Sequence, residues 1–126
     1  MPGRILIVDD DPEMRDLFRE VLELDAHEVL TAGNPEEALA LDCSDQPQVV
    51  LVDAALAEAG DIASLGKRFE RRWPQGEVVY LADASDLAVA RRLERGRIRH
   101  FMRPFQIEEL RDLVSDLLER QALTGR

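Results

Sequence analysis

The chain has 126 residues, 45% of them hydrophobic, and its 26 acidic against 16 basic side chains give a formal charge of −10. That length predicts a single domain over residues 1–126 with a real core, and the acidic balance argues against direct nucleic-acid binding, which needs a basic face. No apolar run approaches the roughly 20 residues that span a bilayer, and no long apolar segment follows Met1, so the expected location is the cytoplasm, away from membranes. Cys43 is the only cysteine. It forms no intrachain disulfide and reads as a reduced packing residue, because neither a ligand set nor a nucleophile motif surrounds it.

Ile5-Leu6-Ile7-Val8 makes a short apolar run within residues 4–8 and leads into Asp9-Asp10-Asp11. Pro12 suits the first turn of a helix, with Leu17, Val21, Leu22 and Leu24 as its apolar face. His27 precedes a second run near 28–32 and is expected to be exposed. Asn34-Pro35 reads as an N-cap and first helical residue, and Glu36 and Glu37 favour the positive end of that helix dipole. The third run, 48–52, contains Val49-Val50-Leu51-Val52 and ends in Asp53. A helix is expected from about Ile62 to Trp73, stopped by Pro74, with Trp73 packing at its end. A fourth run lies near 77–81. Ser85 or Asp86 can cap the next helix, which ends at Gly96. The fifth run is near 98–102. The last helix should extend from about Ile107 to Ala122, with Leu110, Leu113, Val114, Leu117 and Leu118 on one face and Phe105 packed beneath it. The closing Leu123-Thr124-Gly125-Arg126 is expected to fray.

Short Val/Ile/Leu-rich runs alternating with helical segments predict an α/β fold: a doubly wound parallel sheet of five strands with five helices. In the flavodoxin-like order 2-1-3-4-5, strand order reverses between the first and third strands, and functional crevices open beyond the carboxyl ends there. Asp9, Asp10 and Asp53 would meet at that edge, with Asp11 on its rim. Carboxylates so close repel one another unless a cation sits among them, which points to a hard divalent ion.

Ile5-Leu6-Ile7-Val8-Asp9-Asp10-Asp11-Pro12, Val49-Val50-Leu51-Val52-Asp53, Val78-Val79-Tyr80-Leu81 and Arg103-Pro104-Phe105 follow in that order. Together they resemble the receiver domain of two-component response regulators, over essentially the whole chain. The resemblance implies that Asp53 accepts a phosphoryl group from a sensor histidine kinase or phosphotransfer protein. It also implies Mg2+ held by Asp9, Asp10, Asp53 and the backbone carbonyl of Ala55, and a signalling domain rather than an enzyme. Phosphoryl transfer needs positioning and charge neutralisation more than covalent help, and Mg2+ suits a few carboxylates plus water and phosphate oxygens.

The chain departs from the receiver pattern at several places. Ala82, followed by Asp83, stands where the family places Thr or Ser to bond the phosphoryl group. Arg103 replaces the Lys before Pro104, and His100 replaces the switch aromatic. The acceptor loop reads Ala54-Ala55-Leu56-Ala57-Glu58-Ala59-Gly60-Asp61, and Arg97 follows Gly96 where a small residue is usual. A missing donor at Ala82 removes roughly 1.5–3 kcal/mol of the about 5.5 kcal/mol that a full two-state swing requires. Arg103 keeps the charge but presents a planar fork instead of a point charge; it can clamp Asp53 or a phosphoryl oxygen. His100 is either a smaller switch side chain or a half-buried polar residue. Two readings stay open: a working phospho-acceptor, and a degenerate receiver that docks proteins independently of phosphate. A haloacid-dehalogenase-type phosphatase would need Thr at Glu13 and would leave Asp53 idle. A flavin carrier would need a Ser/Thr/Gly loop after the first strand, where the acidic triplet would instead repel phosphate.

Charge is unevenly distributed. From Arg91 to Arg103 there are six arginines and one acid, Glu94. In this fold Arg91, Arg92, Arg95 and Arg99 would share a face with Glu108, Glu109, Asp112, Asp116 and Glu119 of the last helix. Such a face is self-complementary across a two-fold axis. It predicts a homodimer through the fourth helix, fifth strand and fifth helix, weakened by salt.

Overall fold

The computed structural model describes residues 2–42, 46–57 and 61–123. Cys43, the middle of the acceptor loop (Glu58, Ala59 and Gly60) and the tail from Thr124 lie outside the described residues. The chain order is β1 (Arg4–Val8), α1 (Pro12–Leu24), β2 (Glu28–Ala32), α2 (Pro35–Leu39), β3 (Val49–Asp53), a 3-10 turn (Ala54–Leu56), α3 (Ile62–Arg72), β4 (Glu77–Asp83), α4 (Leu87–Arg95), β5 (His100–Arg103) and α5 (Ile107–Leu123). The five strands form one sheet in the order β2-β1-β3-β4-β5, and every neighbouring pair is parallel. This is the flavodoxin-like architecture expected from the alternating pattern.

Helix starts follow local chemistry. The Asp11 carboxylate accepts the Glu13 N–H, so Asp11 caps α1 ahead of Pro12 and is more than a rim acid. Asn34 caps α2 by accepting the Glu37 N–H, and Asp61 caps α3 through Ser64. Asp86, not Ser85, caps α4, accepting the Val89 N–H. Gly96 ends α4, yet its φ is −79°; the left-handed residue is Arg97, with φ 52°. The Ile98 N–H then returns to the Leu93 carbonyl at 3.0 Å. That closure uses residues expected in the strand, so β5 begins only at His100.

Helices cover both faces of the sheet. Ile5, Ile7, Val49 and Leu51 pack against Phe18 and Leu22 of α1 and Leu110, Val114 and Leu117 of α5. Leu6, Val8, Val50 and Val52 pack against Ala38, Leu65, Phe69, Trp73 and Leu93 on the other side. Burial on both faces explains why β1 and β3 read as unbroken apolar runs. On α1 the buried face is Phe18, Val21 and Leu22, while Leu17 and Leu24 are 41% and 77% exposed. The expected face was therefore rotated: residues three and four apart share a helical stripe, and Phe18 fixes it.

His27 corrects another expectation. It is buried, 7% exposed, and its Nδ1 accepts the Gly3 N–H at 3.0 Å. Gly3 itself is pressed against α5, where a Cβ would meet Leu118 at 2.6 Å. Trp73 is buried at the end of α3, stacked on Phe69 with centroids 5.9 Å apart. Phe105 packs on Phe18 and Phe101 beside the α5 core. Among the described residues no helix is long and apolar enough to cross a membrane.

Candidate functional site

β1 and β3 are adjacent, with Val8 opposite Val52, so the residues that follow emerge together at the carboxyl edge. One carboxylate oxygen from each of Asp9, Asp10 and Asp53 lies within 4.8 Å of the others. Asp9 is buried, Asp53 is partly buried and Asp10 is exposed. Asp9 Oδ1 accepts the Asp11 N–H at 2.9 Å, and Asp53 Oδ1 accepts the Ala55 N–H at 3.0 Å. The Asp53–Ala55 bond caps the 3-10 turn through Oδ1 and leaves the second oxygen of Asp53 outside that bond.

The remaining oxygens of Asp9 and Asp53 face one cation. Arg103 Nη2 stands 3.4 Å from Asp9 Oδ2, and Nη1 stands 3.8 Å from Asp53 Oδ2. Arg103 is the last residue of β5 and pairs in register with Asp83 at the end of β4. Its Nε is buried and has no hydrogen-bond partner. Burial raises the Asp9 pKa above the ordinary carboxylate value. The Asp11 N–H opposes that shift, the neighbouring charge of Asp53 adds to it, Arg103 opposes it, and Asp10 adds again. The cluster thus carries a frustrated charge balance, eased in part by a guanidinium.

The donor set suits a hard divalent cation. It offers carboxylate oxygens from two strands, one buried and one open to solvent, at a spacing that a single ion can bridge. Among the described residues this is the one group of three or more metal-ligating side chains at such spacing. No sulfur or imidazole takes part, which disfavours the softer transition metals.

Other expected positions fall around this edge. Ala82 is 2% exposed and pairs with Met102; its methyl offers no donor. The Asp83 Oδ1 accepts both the N–H and the hydroxyl of Ser85, at 2.9 and 2.8 Å. Those bonds, helped by the Arg103 charge, hold the Asp83 carboxyl below its ordinary pKa. His100 is half-buried, with Nδ1 2.7 Å from the Ile98 carbonyl. Sequence reasoning missed Arg15, whose Nη1 donates to the backbone carbonyl of Asp9 at 2.7 Å. The available signal was its place on the first turn of α1, facing back toward the end of β1.

The structure divides the charged face. Arg92 and Arg95 line a cavity with Asp61, Ile62 and Ala63 at the start of α3. Arg99 pairs with Glu77 at 3.7 Å. Glu108 and Asp112 line a separate cavity with Asp25 and His27, where Arg111 grips Asp25 through two nitrogens. Arg91 on α4 and Glu109 and Asp116 on α5 are exposed and line neither of these two cavities.

Residues 5–115 match the response regulator receiver domain family. Sporulation initiation phosphotransferase F of Bacillus subtilis is 31% identical over 119 residues, covering 94% of this chain and 95% of that protein. The transcriptional regulatory protein CpxR of Escherichia coli is 32% identical over 119 residues, but the chain spans only 50% of its length. Among solved structures, a CheY-like receiver domain protein of Methanospirillum hungatei superposes with a TM-score of 0.82 at 23% identity, covering 99% of this chain and 100% of that one. NtrX of Brucella abortus also reaches 0.82, at 27% identity, across 98% of this chain and 29% of NtrX. The match across most of the sequence, on the fold described above, makes this chain a member of the response regulator receiver domain family.

Proposed function

We propose that this receiver domain accepts a phosphoryl group on Asp53 from the phosphohistidine of a sensor kinase or phosphotransfer protein. The observation that carries this reading is the meeting of Asp9, Asp10 and Asp53 within 4.8 Å at the strand-order reversal. Asp53 Oδ1 is occupied by the Ala55 N–H, which leaves Oδ2 as the nucleophile. An O–P bond forms at Oδ2 as the P–N bond to the donor imidazole breaks, and the imidazole keeps the electron pair. The product is an acyl phosphate.

Asp9, Asp10, Asp53 and the Ala55 carbonyl would hold Mg2+, which when bound neutralises charge on the phosphoryl oxygens. Arg103 supplies a second positive charge beside Asp53. The Asp11 N–H and Arg15 fix the Asp9 carboxylate and its backbone. Ala82 offers no hydroxyl to the product, so the conformational response is partial, and the His100 ring is held at the Ile98 carbonyl rather than free to follow a hydroxyl. The domain works as a signalling unit over residues 1–126 in the cytoplasm. Its output face is α4–β5–α5, where Arg91 of one copy meets Glu109 and Asp116 of another in a homodimer.

Titration with beryllofluoride and Mg2+, followed by NMR, tests the acceptor reading. Saturable binding that is lost in Asp53→Asn and shifts the ends of β4 and β5 is the expected result. No binding at millimolar Mg2+ would refute it and favour the phosphate-independent docking module.

A further inference from the structure

The basic run from Arg91 to Arg103 gives one arginine to the dimer face and one to the acidic edge. Its other four, Arg92, Arg95, Arg97 and Arg99, all line a groove between α3 and the turn from α4 into β5. Two cavities of about 340 and 410 Å3 share Ile62, Ala63, Gly96 and Ile98 and make that groove continuous. Lys67 of α3 adds a fifth cation, and all five basic side chains are exposed. The surface between them is apolar or small, formed by Ile62, Ala63, Gly66, Val78 and Ile98. Three acids also line the groove, and two of them are engaged within the chain. Asp61 caps α3 through the Ser64 N–H, and Glu77 pairs with Arg99. In a chain of formal charge −10, this groove is a positive exception.

We propose that this groove docks an acidic amphipathic helix of a partner protein. Cations on α3 and on the end of α4, with apolar surface between them, match a helix whose apolar stripe is flanked by carboxylates. A nucleic-acid strand fits less well, because its phosphates would meet Asp61, Glu70 and Glu77 and leave the apolar surface unused. Arg97 adds an independent backbone observation. It holds φ 52°, a left-handed conformation that glycine would adopt without strain. Strain kept at an exposed position marks a use for the side chain other than packing. Opposite charge steers the encounter and fixes its orientation, and the apolar stripe excludes water once the helix is seated. Asp9, Asp10 and Asp53 line neither cavity, so this docking is independent of the acceptor edge.

The test is an NMR titration of the labelled protein with a synthetic helical peptide of glutamate, alanine and leucine, its leucines at three- and four-residue spacing. The same peptide with glutamine for glutamate, and a single-stranded oligonucleotide, serve as comparisons. At low ionic strength the acidic peptide shifts the amides of Ala63, Gly66, Gly96 and Arg97, and binding fades at about 1 M salt. Ala63 lines both cavities and is exposed on the first turn of α3. Ala63→Glu weakens binding and Ala63→Lys tightens it, each by roughly 1.5- to 5-fold. Glutamate suits the start of a helix, so the loss in Ala63→Glu does not come from unfolding. Arg97→Gly weakens binding over the same range while raising the urea midpoint, a combination that a merely structural role would not give. No peptide binding, equal affinities for the three proteins differing at Ala63, or unchanged binding in Arg97→Gly overturns the proposal. So does binding of the glutamine peptide or the oligonucleotide as tight as that of the acidic peptide. Self-association that is lost in Ala63→Glu assigns the groove to a second copy and overturns it as well.

Discussion

Ala82→Thr restores a hydroxyl where the strand end faces the acceptor edge. Ala82 is 2% exposed and belongs to the core cluster that includes Tyr80 and Leu93. A hydrogen bond to a charged phosphoryl mimic is worth roughly 1.5–3 kcal/mol, which is about 10–150-fold in affinity at 1.4 kcal/mol per tenfold. Without the mimic, the added methyl has to be fitted beside Met102 and the core, at a cost of about 1–3 kcal/mol in stability. Affinity and stability thus move in opposite directions. Ala82→Ser adds the hydroxyl without the methyl and separates the two effects. Calorimetric titration with beryllofluoride at saturating Mg2+ should show both variants binding more tightly than wild type. Melts without beryllofluoride should show the larger loss for Thr. Equal affinities for the three proteins would refute the placement of this strand end against the phosphoryl group.

Arg97→Gly should stabilise the domain by about 0.5–1 kcal/mol. Left-handed backbone costs an L residue roughly 1–2 kcal/mol, and glycine returns part of that gain through its unfolded-state entropy; Arg97 holds φ 52°. Urea unfolding checks it, and a lower midpoint would contradict the strain. For His27, burial holds the imidazole pKa below its ordinary 6.5, against the pull of Asp25. The unfolded chain binds the proton first, so this contribution is complete above pH 6.5 and is lost as pH falls below it, by at most about 1.4 kcal/mol per pH unit. Urea melts across that window should show a steeper fall for wild type than for His27→Gln; parallel slopes would exclude His27 as the cause. Sedimentation equilibrium should show a dimer at low ionic strength that dissociates as screening shortens to about 3 Å near 1 M salt. Arg91→Glu should abolish it and Asp116→Arg should restore it; a monomer throughout contradicts the pairing.

The sheet was legible because its apolar runs, caps and prolines all agree on one alternation. The convergence of Asp9, Asp10 and Asp53 was legible because strand order alone brings the ends of β1 and β3 together. What escaped depends on contacts between distant positions. His27 is buried because Gly3, 24 residues away, donates to its ring. Arg103 reaches Asp9 across 94 positions, and no local pattern announces which carboxylates a guanidinium will choose. The lining of the cavity at the start of α3 by Arg92 and Arg95 was not legible either, for a rotational reason. Once Ala90 and Leu93 turn inward on α4, Arg92 is carried toward α3 rather than α5. Composition gives the charges on a helix; packing of its apolar stripe decides where they point.

Besides the acceptor loop after β3 and Arg97 ahead of β5, the departures from the receiver pattern fall on two neighbouring strands. Ala82, Asp83, His100 and Arg103 lie on β4 and β5, joined by the pairings Tyr80–His100 and Asp83–Arg103, whereas β1 and β3 keep the acidic set intact. Under the proposed function, accepting a phosphoryl group would draw on the first pair of strands, and transmitting it would draw on the second. A hydroxyl at the end of β4 would follow the phosphoryl group by a short, directional bond. With a buried methyl there instead, the charged group at the end of β5 is what remains to register the change. Coulomb attraction acts at longer range than a hydroxyl bond and is weakened by salt. Under the proposed function, the coupling between Asp53 and the α4–β5–α5 face is therefore electrostatic in origin. It runs through Arg103, and its strength falls with ionic strength even where the acyl phosphate itself persists.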